Sequence, residues 1–258
     1  MTDILISDFI MVLMIFLRVV AILVAAPVFG HKSIPVLAKI FLSIVIAYIV
    51  FMTVDTKTVT FDLNMVALTV YAVKEIITGL IMGYILNFVF WGVAYAGNFM
   101  GFDIGLMFAQ VANPFDDTQN NVLSEILFFA AMMIFIIING HHYIITGVVA
   151  SFSVIPLGKY TINQSVFYLI VKYSFAVFTI AVKIASPIMV AFFLVHIAAG
   201  IIAKVIPNIQ VFFVFQPLKL GLGIIMLATT VPFFIYAIKI LLHNYENQLF
   251  ELVKAMGT

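Results

Sequence analysis

The chain contains no cysteine, a single tryptophan and very little charge, with 9% Asp, Glu, Lys and Arg among its 258 residues. Without cysteine there are no disulfides, no thiolate metal ligands and no cysteine nucleophile. A formal net charge of +1 leaves no clustered basic footprint, so nucleic acid is not an expected partner. No phosphate loop GxxxxGK[ST], no HExxH and no GxSxG occurs. Membrane aspartyl chemistry needs two carboxylates converging in an apolar core, and only Asp103 is placed near one. The expectation is a protein with no enzymatic activity, no cofactor and no metal.

Apolar sequence fills the space. Hydrophobic residues make up 65% of the chain and mean hydropathy is +1.26, where a soluble domain carries about 25% charge. This is the composition of an integral membrane protein. At about 20 residues per span, the length suits one bundle of about six to eight helices. The apolar runs cover about 9–26, 36–54, 65–96, 122–138, 143–157, 165–206 and 220–242. Runs longer than about 25 residues are expected to contain a break or a hairpin. In 165–206 that break is assigned to Pro187, whose ring and missing N–H end or kink a helix. The polar joints fall at 27–39, 55–62, 158–164 and 207–210. With no linker or low-complexity tract, the chain reads as a single membrane-embedded domain, 1–258. The opening MTDILISD is acidic where a signal peptide has a basic segment, so the N-terminus is expected to be retained. Basic residues are spread over successive loops and leave the topology open.

One polar island interrupts this pattern, GNFMGFDIGLMFAQVANPFDDTQNN at 97–121. Gly97, Gly101 and Gly105 recur every four residues, as do Gly79 and Gly83. On a helix that spacing makes a smooth ridge for close packing, against another subunit or within the chain. The Asn113-Pro114 step and the Asn/Asp cluster around it favour a loop. Met107, Phe108 and Phe115 beside a loop make either a deformable seal or part of an ordinary solvated surface.

Charges inside apolar runs, at Arg18, Lys74, Glu75, Glu125, Lys172 and Lys183, cost about 3 kcal/mol each at mid-bilayer. They are expected to meet protein or a wet cavity. Lys172 and Lys183 are eleven residues apart, three helical turns, and so share a face. They line a water-filled path, or they snorkel or pair with carboxylates, for which Glu75 and Glu125 are the intrachain candidates. His141 and His142 follow Asn139-Gly140; as neighbours on a helix they are expected to point to different sides, which suits helix-end capping better than a metal site.

The succession Arg18, Pro27, Gly30, Pro35, Lys39, then Glu75 with Gly79 and Gly83, the island, Asn139-Gly140-His141 and Ser151-Phe152 with Pro156 resembles the FliR family of flagellar export-gate proteins. The injectisome subunit of type III secretion is homologous to that family and is the alternative within it. Ser186-Pro187, Gly200, Lys204, Ile209-Gln210 and Phe215-Gln216-Pro217-Leu218-Lys219 are similar to FliQ, the two-helix subunit of the same gate. The resemblance implies an all-α integral membrane subunit of a pseudo-helical export-gate assembly, with a FliP-like portion at 1–183 and a FliQ-like helical hairpin at 184–258. It implies FliP-like, FliQ-like and FlhB-like partners, membrane lipid, passage of unfolded export substrates, and a place in the bacterial inner membrane within the flagellar basal body. It also implies that the loop at about 105–122 plugs the pore, with Met107, Phe108, Asn113, Pro114 and Phe115 at the seal. The close-packing positions are Gly79, Gly83, Gly97, Gly101 and Gly105; the charges at buried or intersubunit positions are Arg18, Glu75, Glu125, Lys172, Lys183, Lys204 and Lys219. The family commonly shows Asp-Pro where this chain has Asn113-Pro114, which removes one charge from the turn. A small-solute transporter with Lys172 and Lys183 along an anion path is the rival class, although no inverted repeat is visible.

Overall fold

A computed structural model describes residues 2–53, 62, 64–106, 121–160, 163–206 and 210–257. Those residues form eight helices and no strand: α1 (Thr2–Ala25), α2 (Val36–Thr53), α3 (Met65–Ile104), α4 (Val122–Ile137), α5 (Gly140–Val154), α6 (Gln164–Val205), α7 (Val211–His243) and α8 (Tyr245–Met256). Lipid offers no hydrogen-bond partner to a backbone, so an apolar chain closes its own N–H and C=O groups in helices. Five helical segments are long and apolar enough to cross a membrane, or up to six if the broken pair α4–α5 is one span. The protein is an all-α membrane protein. Between α4 and α5 the chain breaks at Asn139, a left-handed residue with φ 58°.

The chain forms two compact units that interleave along the sequence. The first comprises Met1–Phe88, Phe135–Ser174 and Leu242–Thr258; the second comprises Val89–Ile134 and Phe175–Leu241. In the first, α1 packs along α2 and α8 packs on α5. Its core is aliphatic, with Ile15, Val19, Ile22, Leu23 and Val50 buried around α1.

Two long runs expected to break do not. Helix α3 continues for 40 residues and α6 for 42, about 60 Å each and twice the hydrocarbon thickness. Glycines interrupt α3 but keep their N–H groups, and packing against neighbours compensates their low propensity. At Pro187 the missing N–H leaves the carbonyl of Lys183 without its usual donor. The Ser186 hydroxyl donates to that carbonyl at 2.9 Å, and the helix carries on to Val205.

The glycine ridge serves packing inside this chain. A Cβ on Gly79 would stand 2.5 Å from the Arg18 carbonyl oxygen, and one on Gly83 would stand 2.9 Å from that of Ile22. Those two glycines let α3 close on α1. In the second unit, Gly97 faces the backbone of Ser124 and Gly101 faces the Asn121 side chain. Gly105 is not part of a continuing ridge. At φ 89° it ends α3, its N–H donating to the Phe102 carbonyl at 3.1 Å while Leu106 N–H reaches back to Gly101 at 2.9 Å. That paired closure needs a left-handed residue, which glycine adopts without strain.

Gly79→Val sets two effects against each other. Valine gains less than about 1 kcal/mol of helix propensity, whereas the clash is with backbone atoms that cannot rotate away and costs about 1–3 kcal/mol. The expected outcome is a lowered thermal unfolding midpoint of the detergent-solubilised chain; an unchanged or raised midpoint contradicts the α1–α3 contact.

Candidate functional site

Two of the charges that the composition makes so costly converge in the first unit. Arg18 lies on α1 and Glu75 on α3, both with fully buried side chains, and Arg18 Nε is 2.5 Å from Glu75 Oε2. The second oxygen, Oε1, accepts from Arg18 Nη2 at 3.1 Å and from the Gly158 backbone N–H at 2.7 Å. Gly158 presents that N–H because residues 156–159 form a tight turn, with Lys159 N–H donating to the Pro156 carbonyl at 3.2 Å and Gly158 at φ 72°. A negative φ at Leu157 followed by a positive one at Gly158 is a type II turn, which asks for glycine at its third position.

The rest of the guanidinium faces the C-terminus of α5. Nη1 donates to the carbonyls of Ser151 and Ile155 at 3.2 and 3.1 Å, and Nη2 donates to Ile155 at 3.2 Å. The Ser151 carbonyl also accepts the Ile155 N–H at 2.8 Å, and both carbonyls stand at the negative end of the helix dipole, so a planar cation with five N–H groups suits them. Phe152 places its ring 4.3 Å below the guanidinium carbon. Ser151 Oγ donates to the Val148 carbonyl at 2.7 Å and lies 3.4 Å from Nη1. Every polar atom of the pair is therefore used within the chain. The arrangement binds α1, α3, the end of α5 and the following turn, and leaves no donor for a substrate. Its chemistry is that of a structural knot.

Residues 9–245 match the sequence profile of bacterial export proteins, family 1. The chain belongs to that family. Among its relatives, flagellar biosynthetic protein FliR of Bacillus subtilis is 32% identical over 219 residues, 83% of each chain. FliR of Escherichia coli is 27% identical over 216 residues, covering 84% of this chain and 82% of the relative. FliR of Aquifex aeolicus is 27% identical over 250 residues, covering 95% and 93%. Residues of the resemblance that lie far apart in sequence, Arg18, Glu75, Ser151, Phe152 and Pro156, thus meet at one point of this family member.

The other expected charges are placed differently. Lys172 pairs with Glu251 at 3.1 Å rather than with Glu75 or Glu125, and Tyr173 donates to the same carboxylate at 2.7 Å. Both ends of the Lys172 pair are about half exposed, which limits it to about 1 kcal/mol or less. Glu251 arrives on α8, whose Leu249, Leu252, Val253 and Met256 are buried at helical spacing. Leu249 fills the notch at Gly147, and Asn163 Nδ2 donates to the Ala255 carbonyl at 2.7 Å. Glu125, Lys183 and Lys204 are exposed. Lys219 is half-buried and its ammonium donates to His196 Nε2 at 2.7 Å. On the same unit, Gln216 Nε2 donates to the Gly105 carbonyl at 3.1 Å at the end of α3. Rather than pointing apart, the His141 and His142 rings lie 4.3 Å apart just after the Asn139 break. Among the described residues no group of three His, Asp or Glu side chains converges as a metal site would require. Met107, Phe108, Asn113, Pro114 and Phe115 lie outside the described residues.

Two participants were not singled out from sequence. Glu251 sits in the polar last segment, where the pattern of Leu249, Leu252, Val253 and Met256 marks an amphipathic helix seeking a partner. Gly158 gave no signal beyond its proximity to Pro156.

Glu75→Ala leaves a buried guanidinium without its counter-ion and is expected to cost about 3–5 kcal/mol. Replacing both partners by apolar residues, Arg18→Met with Glu75→Leu, is expected to cost much less than the two single changes summed. Unfolding of the purified chain in detergent measures both; additive losses contradict a coupled pair.

Proposed function

We propose that this chain is a structural, conduit-forming subunit of the bacterial flagellar protein-export gate, and that it is not an enzyme. The observation that carries this is the match to flagellar FliR proteins over more than four fifths of both chains. The flagellar system is favoured over the injectisome because the relatives matched are flagellar. Two physical features support the reading. Helices α3 and α6 are too long for a single bilayer crossing, so part of each lies against water or protein. The buried polar pair Arg18–Glu75 is spent on internal architecture, and among the described residues no three His, Asp or Glu side chains converge.

In this proposal the subunit sits in the bacterial inner membrane within the basal body, beside FliP-like and FliQ-like subunits and an FlhB-like partner, with lipid around the assembly. Unfolded export substrates pass through the pore. Residues 1–183 form the FliP-like portion and 184–258 the FliQ-like hairpin portion. The segment from about 105 to 122 closes the pore, Met107, Phe108 and Phe115 supplying an apolar seal around the Asn113-Pro114 turn. Its two ends are anchored on the same stretch of α3, at Gly105 through Gln216 and at Gly101 against Asn121. Removing the middle of the loop therefore leaves both anchors in place.

Deleting residues 111–120 is expected to preserve assembly with the other gate subunits while making cells leak ions through the closed gate. Membrane conductance of cells expressing the variant measures this. Unchanged tightness contradicts the plug, and purification of the wild-type chain as a self-sufficient solute transporter contradicts the gate.

A further inference from the structure

Within the second unit, Phe175–Leu241 contains Lys183, Lys204, Lys219 and Lys239 and no aspartate or glutamate. Lys219 is engaged by His196. Lys183, Lys204 and Lys239 are exposed, and none of their ammonium groups has a hydrogen-bond or ion-pair partner among the described residues. Lys204 stands in the last turn of α6, where the helix C-terminus already favours a cation. Lys183 lies in the interior of the same helix and has no such compensation. It also begins an outward-facing apolar stripe, Val190, Leu194, Ile197 and Ile201, at helical spacing.

The glycines add an independent observation. Of the chain's 14 glycines, twelve hold some described atom of this chain within 4 Å of the place a Cβ would take; Gly200 on α6 and Gly221 on α7 hold none. An outward glycine costs its helix about 1 kcal/mol relative to alanine. Lipid gains nothing from it, whereas another helix gains a close backbone approach.

We infer that this carboxylate-free stretch of α6 and α7 is a docking surface for a helical, carboxylate-bearing subunit, which closes on Gly200 and sets an Asp or Glu against Lys183. The inference rests on the gate-subunit reading and adds the chemistry of the contact. Charge complementarity selects this occupant. Lipid covering the same face has a different signature: removal of a lysine from a lipid-facing helix lowers its insertion cost, whereas removal of a lysine from a carboxylate leaves that carboxylate buried and unpaired.

The test co-expresses the tagged full chain with the other gate subunits and quantifies what copurifies. Lys183→Leu and Gly200→Leu are each expected to reduce the copurified subunits about tenfold or more. Lys183→Arg retains them. In the chain purified alone, Gly200→Leu does not lower the unfolding midpoint, because a Cβ there meets no described atom within 4 Å and leucine has the higher helix propensity, which separates lost docking from lost folding. Wild-type levels of copurification for both leucine variants overturn the docking surface in favour of lipid while the gate reading stands. If the wild-type chain copurifies no helical subunit, the gate reading fails and the docking surface with it.

Discussion

A guanidinium withdrawn from both water and lipid must find a counter-charge and a donor count to match, and Arg18 does so with one carboxylate and the open end of one helix. Everything in the first unit is arranged so that this is possible. Gly79 and Gly83 let α3 approach α1 closely enough for Glu75 to reach across. α5 ends at Val154, so that Ser151 and Ile155 offer carbonyls to the cation. Gly158 turns the chain so that its N–H completes the carboxylate. An apolar pair of the same volume would bind the helices as strongly or more so. What the ionic pair adds is register: a leucine slides along a groove at little cost, whereas Arg18 moved by one turn loses its carboxylate and its carbonyls together.

That constraint explains how so apolar a chain keeps a defined structure. Its helices present similar aliphatic faces, and hydrophobic burial alone distinguishes poorly between neighbouring registers. The few polar side chains act as the discriminating contacts: Arg18 with Glu75 for α1, α3 and α5, Glu251 with Lys172 and Tyr173 for α8, and, on α3, Asn121 donating to the Gly97 carbonyl and Gln216 to the Gly105 carbonyl. The second unit uses another distribution: Lys183, Lys204 and Lys239 face outward on α6 and α7, two helices that carry no carboxylate of their own.

Much of this was legible in the sequence, and the failures share a cause. Apolar runs located α2, α4, α5 and α6 to within a few residues, but they began α1 and α7 late, ended α3 early and missed α8, whose alternating polar and apolar residues form no continuous run. The cost of charge in such runs marked Arg18 and Glu75, which are buried, no differently from Glu125, Lys172 and Lys183, which are exposed. The pairing of Arg18 with Glu75 was not legible, because partners 57 residues apart are set by helix packing. Local rules misplaced the interruptions in α3 and α6: length suggested a break, and Pro187 supplied a reason, but a serine hydroxyl took over the orphaned carbonyl. Gly105 looked like one more ridge position because four-residue spacing does not distinguish a helical glycine from the glycine that ends the helix. The polar island as a seal rests on family resemblance, since a Met and two Phe beside an Asn-Pro turn suit a surface loop equally well.

Arg18 acts through helix-end carbonyls as well as through Glu75, and the charge-swapped variant Arg18→Glu with Glu75→Arg separates that arrangement from a simple ion pair. A simple ion pair survives the exchange. In the geometry described here, a glutamate at position 18 faces the carbonyl oxygens of Ser151 and Ile155, acceptor against acceptor, and an arginine at 75 faces the Gly158 N–H, donor against donor. The expected unfolding midpoint in detergent is no higher than that of Glu75→Ala; recovery to the wild-type midpoint would mean that the helix-end carbonyls and the Gly158 N–H contribute nothing.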